Sequence, residues 1–288
     1  MSPNMAILLS ILAVSTASIL IRLTEAPPLA IATWRLALST LILLPFFLMQ
    51  NGVKKLQLIE QRDLISLLGI GIVLAIHFAT WISSLRYTSV ASSVILVHID
   101  PIFVAIVSHF VFKERITPRQ SLGIAVALIG AAVIAIGDLG VGDENLIGDA
   151  LSLIGSIALG IYILAGRRLR QRLDLTTYVT PVYAVSSVIL ALSALILDVP
   201  LTGYNARTII MFGIIALVPM IFGHTVYNWA LRWVSAPLVS ISLLGEPVGA
   251  SILAVIVLSE KPLALTIIGG AITLIGILIC VYSSGKNK

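Results

Sequence analysis

Residues 86–101 read RYTSVASSVILVHIDP, and residues 232–247 read RWVSAPLVSISLLGEP. Each begins with an arginine and an aromatic residue, runs through an apolar stretch, and closes on a carboxylate followed by proline. The two stretches lie 146 positions apart, and at that shift Arg86 meets Arg232, Ser89 meets Ser235, and Pro101 meets Pro247. The match continues without a gap through Glu114 with Glu260, Gly123 with Gly269, and Gly130 with Gly276. Asp100 meets Glu246, Tyr87 meets Trp233, and Arg115 meets Lys261. Shared Ile or Leu would mean little in so apolar a chain, but proline, glutamate and glycine recurring at one offset mark an internal duplication. Residues 37–43 resemble residues 184–190 at nearly the same shift.

The composition places this duplication in a membrane. Of 288 residues, 59% are hydrophobic and 11% charged, against about 25% charged in a soluble domain. That is too little charge to cover a water-facing surface, and lipid removes the need. The net charge of +5 does not point to nucleic acid, because the basic residues fall in short stretches between apolar runs. A single cysteine, Cys280, permits no intrachain disulfide.

A spanning helix needs about 20 mainly apolar residues. Ten segments approach that length: 5–23, 29–49, 64–85, 90–112, 120–137, 149–169, 177–197, 208–231, 236–258 and 264–283. The first lacks a preceding basic cluster and a following cleavage region, so it reads as a retained span and not a signal peptide. The expected fold is therefore an all-α polytopic membrane protein of ten transmembrane helices.

Loop charges orient it. With both termini cytoplasmic, the inner side holds Lys54, Lys55, Arg62, Lys113, Arg115, Arg119, Arg167, Arg168, Arg170, Arg172 and Arg232, with Lys286 and Lys288 in the tail. The outer side holds Arg22, Arg86, Arg207 and Lys261 and the acidic stretch 138–149. This bias predicts a multi-pass protein of the cell membrane with both termini inside. Five helices per half, at 1–137 and 149–288, make the second half enter upside down. Inverted repeats are a recurrent plan for secondary transporters, with the site near the midplane.

Asp100-Pro101, Lys113-Glu114-Arg115, Gly123 and Gly130 resemble a helix four–five signature of the drug/metabolite transporter superfamily, EamA-type. Glu246-Pro247, Glu260-Lys261, Gly269 and Gly276 resemble it again, and Trp34-Arg35 is similar to that family's helix-two pattern. Asp100 departs from the apolar or glutamate residue expected before the proline. The resemblance covers the whole chain and implies a carrier, often an exporter, of amino acids or related small metabolites.

Candidate substrate-binding residues follow from depth and charge. Asp100 and Glu246 each stand eleventh in a segment, roughly 15 Å from either membrane face. A carboxylate there usually faces a water-filled cavity or a partner. Each precedes a proline, which frees a helical carbonyl, and Asp100 could cap a second half-helix from Pro101. Arg35 could snorkel, pair with Asp100, or meet an anionic group on the substrate. His77 and Trp81 share one face of helix three, as His224 and Asn228 do on helix eight, and Tyr227 aligns with Trp81 under the repeat. Facing polar and aromatic groups suit an amphipathic ligand. His98, two residues from Asp100, is expected on another helix face, and His109 at the interface. Gly123, Gly130, Gly137, Gly269 and Gly276 read as packing stripes, with a homo-oligomer as one use. Glu114 and Glu260 read as membrane-edge ion pairs or gates.

No phosphate loop, zinc motif or cysteine cluster appears, so neither cofactor, metal nor catalytic residue is expected. The expected partners are a small-molecule substrate and the lipid bilayer. The rivals are an intramembrane enzyme using Asp100 and Glu246 as a catalytic pair, and a channel or non-transporting receptor.

Overall fold

The computed structural model describes residues 2–103, 117–139, 141–233 and 243–284. His109, Lys113, Glu114, Arg115, Ser235, Lys286 and Lys288 lie outside the described residues. Every regular element among the described residues is helical. In chain order these are α1 (Pro3–Ser15), α2 (Ala17–Arg22), α3 (Pro28–Met49), α4 (Gly52–Leu58), α5 (Gln61–Ser84) and α6 (Val90–Val97). There follow α7 (Pro118–Leu139), α8 (Asp143–Arg170), α9 (Leu175–Ile196), α10 (Ala206–Ile215), a π-helical segment (Ala216–Thr225), α11 (Val226–Ala230), α12 (Gly245–Leu258) and α13 (Ala264–Ser284).

Seven helical stretches are long and apolar enough to cross a bilayer: Met5–Arg22, Pro28–Met49, Gln61–Ser84, Pro118–Asp138, Asp143–Arg170, Leu175–Ile196 and Ala206–Ala230. Three of the ten expected spans coincide with shorter apolar helices among the described residues, Val90–Phe103, Gly245–Leu258 and Ala264–Ile279. Some helices start where a side chain satisfies a free N–H group. Ser89 accepts from Ser92 N (3.0 Å), Asp174 from Thr177 N (3.0 Å), and Asn205 from Thr208 N (2.8 Å).

The faces of α5 show why this sequence needs lipid. Ile65, Leu68, Ile72 and Ile76 form an exposed apolar stripe, while Gly71, Leu74, His77, Phe78 and Trp81 are turned inward. Within the apolar run, His77, Trp81 and Ser84 are buried while the aliphatic stripe is exposed, the reverse of a water-soluble helix.

Charged groups gather at two ends. At one, Lys55 pairs with Asp174 at 2.7 Å and Arg172 with Asp63 at 3.5 Å. Burial raises the Asp174 carboxyl, but hydrogen bonds from Lys55, Thr177 and Thr176 outweigh it and hold the group down to about 2. Arg170, expected as a loop charge, is 1% exposed and donates to the backbone oxygens of Asn228 (3.0 Å) and Leu173 (2.5 Å). At the other end, Arg86 donates to Ala26 O (2.7 Å) and Arg22 to Thr88 O (3.3 Å). There Glu260 accepts the Val90 N–H at 2.8 Å, so this membrane-edge acid holds the start of α6 across the two halves. Burial pushes its carboxyl up, against the pull of that N–H.

The glycine stripes have a different partner from the one expected. They bring α7 and α13 together within one chain. A methyl group on Gly130 would lie 2.6 Å from Gly269 O, and one on Gly276 2.7 Å from Gly123 O. Real side chains do not fit that space, so the two backbones touch. Gly123, Gly130, Gly269 and Gly276 thus pack against one another within the chain.

Candidate functional site

A cavity opens where α5, α6, α8, the π-helical segment, α11 and α12 converge. Its polar and aromatic lining is His77, Trp81, His98, His224, Tyr227 and Glu246, and Val14, Val97, Leu159 and Leu243 make its apolar walls. Five of these ten come from residues 1–137 and five from 149–288.

On α5, His77 and Trp81 lie one turn apart with rings stacked at 6.0 Å between centroids. His77 Nδ1 is 2.9 Å from Gly155 O. A carbonyl can only accept, so Nδ1 carries the proton and Nε2 is left as an acceptor. Gly155 permits the approach, since a methyl there would already stand 3.2 Å from Thr80 Oγ1 and 3.4 Å from the Trp81 Cβ.

Helix α6 stops at Val97, and the next bonds tighten to three-residue spacing, His98 N to Ile95 O (3.2 Å) and Ile99 N to Leu96 O (3.3 Å). Pro101 has no N–H to continue the ladder. His98 is set apart from Asp100, as expected, but it is His98 that lines the cavity and Asp100 that does not. His98 Nδ1 lies 2.8 Å from Val94 O, and its Nε2 lies 3.2 Å from Glu246 Oε2. The Nδ1 proton is committed to the carbonyl, so His98 and Glu246 share one proton between Nε2 and Oε2. Glu246 stands in the first turn of α12, beside Pro247, and the pair joins the two halves of the chain.

The stretch expected as one regular helix over 208–231 is instead α10, a π-helical segment containing Pro219, and α11. The wider turn is held by Thr225 Oγ1 donating to Met220 O at 3.1 Å. Such segments are frequent at functional sites. It carries His224 to the cavity, where Nδ1 meets Tyr227 OH at 3.1 Å.

Of the eight residues expected, His77, Trp81, His224, Tyr227 and Glu246 meet in the cavity, and Arg35, Asp100 and Asn228 do not line it. The Asn228 amide donates to Tyr162 OH (2.8 Å) and His224 O (2.7 Å), which makes it a brace for the wall. Asp100 is buried at the α6 break, behind His98. Arg35 is fully buried, with its guanidinium carbon 4.3 Å from the Phe78 ring centroid and 5.8 Å from that of Trp81. The pairing of Arg35 with Asp100 is not formed; no guanidinium nitrogen hydrogen-bonds a described residue. A sequence signal for His98 existed in hindsight of geometry alone: it lies within one turn before a proline, where helical periodicity lapses.

An apolar exterior, a buried polar interior and a cavity lined from both parts of the chain fit a polytopic membrane protein. The chain belongs to the EamA-like transporter family, which matches residues 1–136 and again 146–282. It is 25% identical over 265 residues to an uncharacterized transporter of Archaeoglobus fulgidus, covering 90% of this chain and 89% of that protein. It is 26% identical over 263 residues to the uncharacterized transporter YyaM of Bacillus subtilis, covering 87% and 83%. A solved crystal structure shares the fold with a TM-score of 0.68 at 20% identity, covering 99% of this chain and 98% of that one. The family and these names speak for transport and against catalysis.

Proposed function

We propose that this protein is a secondary transporter that moves small metabolites, such as amino acids, out across the cytoplasmic membrane by alternating access. The two halves, 1–137 and 149–288, act as inverted five-helix repeats that rock about the central cavity. The observation that carries this reading is the cavity itself, lined equally from both halves and bridged by His98 and Glu246. Two near-equivalent packings of inverted halves supply the inward-open and outward-open states. The outward direction and the amino-acid class rest on the family resemblance. The enzyme reading needs two carboxylates on one substrate, and Glu246 is the one carboxylate among the described lining residues, already facing His98.

Purified protein in proteoliposomes, screened with labelled amino acids, is expected to show saturable uptake and trans-stimulated exchange. Flux that rises linearly with concentration and shows no exchange would indicate a channel and sink the carrier reading.

Both termini are placed inside on loop charge. Lys54 on α4 and Glu144 in the first turn of α8 are exposed, so they serve better as labelling positions than the buried Arg170. In a Cys280→Ala background, Glu144→Cys is expected to react with an impermeant maleimide in intact cells, and Lys54→Cys only after lysis. The opposite pattern would invert the topology.

A further inference from the structure

Arg35 is 0% exposed, and Nε, Nη1 and Nη2 make no hydrogen bond to any described residue. Snorkelling is thus ruled out, and the expected acidic partner is not there. Phe78 and Trp81 hold the guanidinium by their ring faces, which steadies a cation but accepts no N–H in its plane. Trp81, which lines the cavity, also has its indole N–H buried and unpartnered. Guanidinium and indole are donors only. One of these donors, the Trp81 N–H, belongs to a cavity wall. The other lies behind that wall, its guanidinium carbon 5.8 Å from the Trp81 ring centroid, so a ligand acceptor reaches Arg35 only as the wall shifts.

We propose that Arg35, together with the Trp81 N–H, reads a single carboxylate on the transported metabolite, and that this contact, more than any to the amine, sets recognition. This rests on the transport reading for what the site is used for. A planar fork of donors fits the two oxygens of a carboxylate. One unpaired guanidinium balances one negative charge, which favours a carboxylate over a doubly charged phosphate. The natural receptor for an ammonium group would be Glu246. His98 holds its Oε2 at 3.2 Å, and the His98 ring is fixed in that orientation by Val94 O, so only Oε1 is left to meet an amine. The remaining walls, Val97, Leu159 and Leu243 among them, are apolar; the cavity is only about 20 Å³ in this closed packing, so a branched aliphatic body enters as the halves part. An amino acid is therefore bound through its carboxylate and side chain, and the acid lacking the amine binds as well.

The test uses the purified full chain and four probes of similar branched skeleton: 4-methylpentanoate, leucine, 4-methylpentan-1-ol and 3-methylbutylamine. Binding is read by thermal shift and tryptophan fluorescence. The two carboxylates are expected to bind with similar Kd, with the alcohol and the amine weaker by about tenfold or more, as for loss of a charge-assisted hydrogen bond. R35Q is expected to lose the carboxylates by a similar factor, about tenfold or more. W81F, which keeps an aromatic ring but removes the N–H together with part of the indole, is expected to weaken them about fivefold or more. Should R35Q fail to fold, R35K and W81F with the four-probe series decide the matter. An alcohol or amine that binds as tightly as the acid, no response to either carboxylate, or a folded R35Q with wild-type affinity would each overturn the proposal. Carboxylate binding without saturable exchange in proteoliposomes would leave this site standing and sink the transport reading. Saturable exchange with no preference for the acid would do the reverse.

Discussion

Glu246→Gln is expected to abolish substrate-driven exchange in proteoliposomes while the protein stays folded and helical. The glutamine keeps the shape of the side chain and one oxygen for His98, but it cannot share the proton that now lies between Nε2 and Oε2 across 3.2 Å. Alternating access requires the two halves to part, and His98 belongs to one half and Glu246 to the other. Separating two buried charges is costly, so the pair must be neutralised by moving its proton, or be replaced by substrate contacts, at each turn of the cycle. An amide pair can do neither in the same way. His98→Gln is expected to give the same loss. Asp100→Asn, one residue before Pro101 and behind His98, is expected to slow exchange by changing the charge that His98 sees. An imposed pH gradient should drive uptake by the wild type and not by Glu246→Gln. Wild-type flux from Asp100→Asn, Glu246→Gln and the double variant would show that these groups only stabilise broken helices.

Trp81→Ala and Tyr227→Ala should each weaken substrate binding on the order of tenfold, in the range set by truncating a buried aromatic contact. Folding should suffer less. Burying an aromatic normally makes its truncation expensive, because a void opens behind it. Here each ring already borders the cavity, so truncation enlarges an existing space. Tyr227 also holds His224 Nδ1 at 3.1 Å, so Tyr227→Phe should show a smaller loss through misplacing that ring. The comparison to make is substrate Kd against detergent-solubilised yield and thermal midpoint. Parallel loss of yield and affinity would place both rings in the core.

The membrane class of this protein, most of its spans and the general location of its polar centre were legible in the chain. They depend on local quantities: apolar run length, the scarcity of charge, and a carboxylate-proline pair recurring at one offset. His77 and Trp81 could be put on one face because α5 is an unbroken helix, where spacing of four means one side. The same rule set His98 apart from Asp100, but which of the two faces the cavity is decided by how α6 packs against α12 and not by their spacing. The rule also could not foresee the π-helical segment that carries His224, or the use of the Asn228 amide as a brace for Tyr162. Glycine stripes show that two backbones can approach closely, but not which two. That α7 receives α13 of the same chain, that Arg170 turns inward, and that Arg35 lies on Phe78 and Trp81 without an acid are outcomes of contacts between distant segments. Those contacts are set by which buried polar and small surfaces fit together in three dimensions, and periodicity along one strand of sequence contains no record of them.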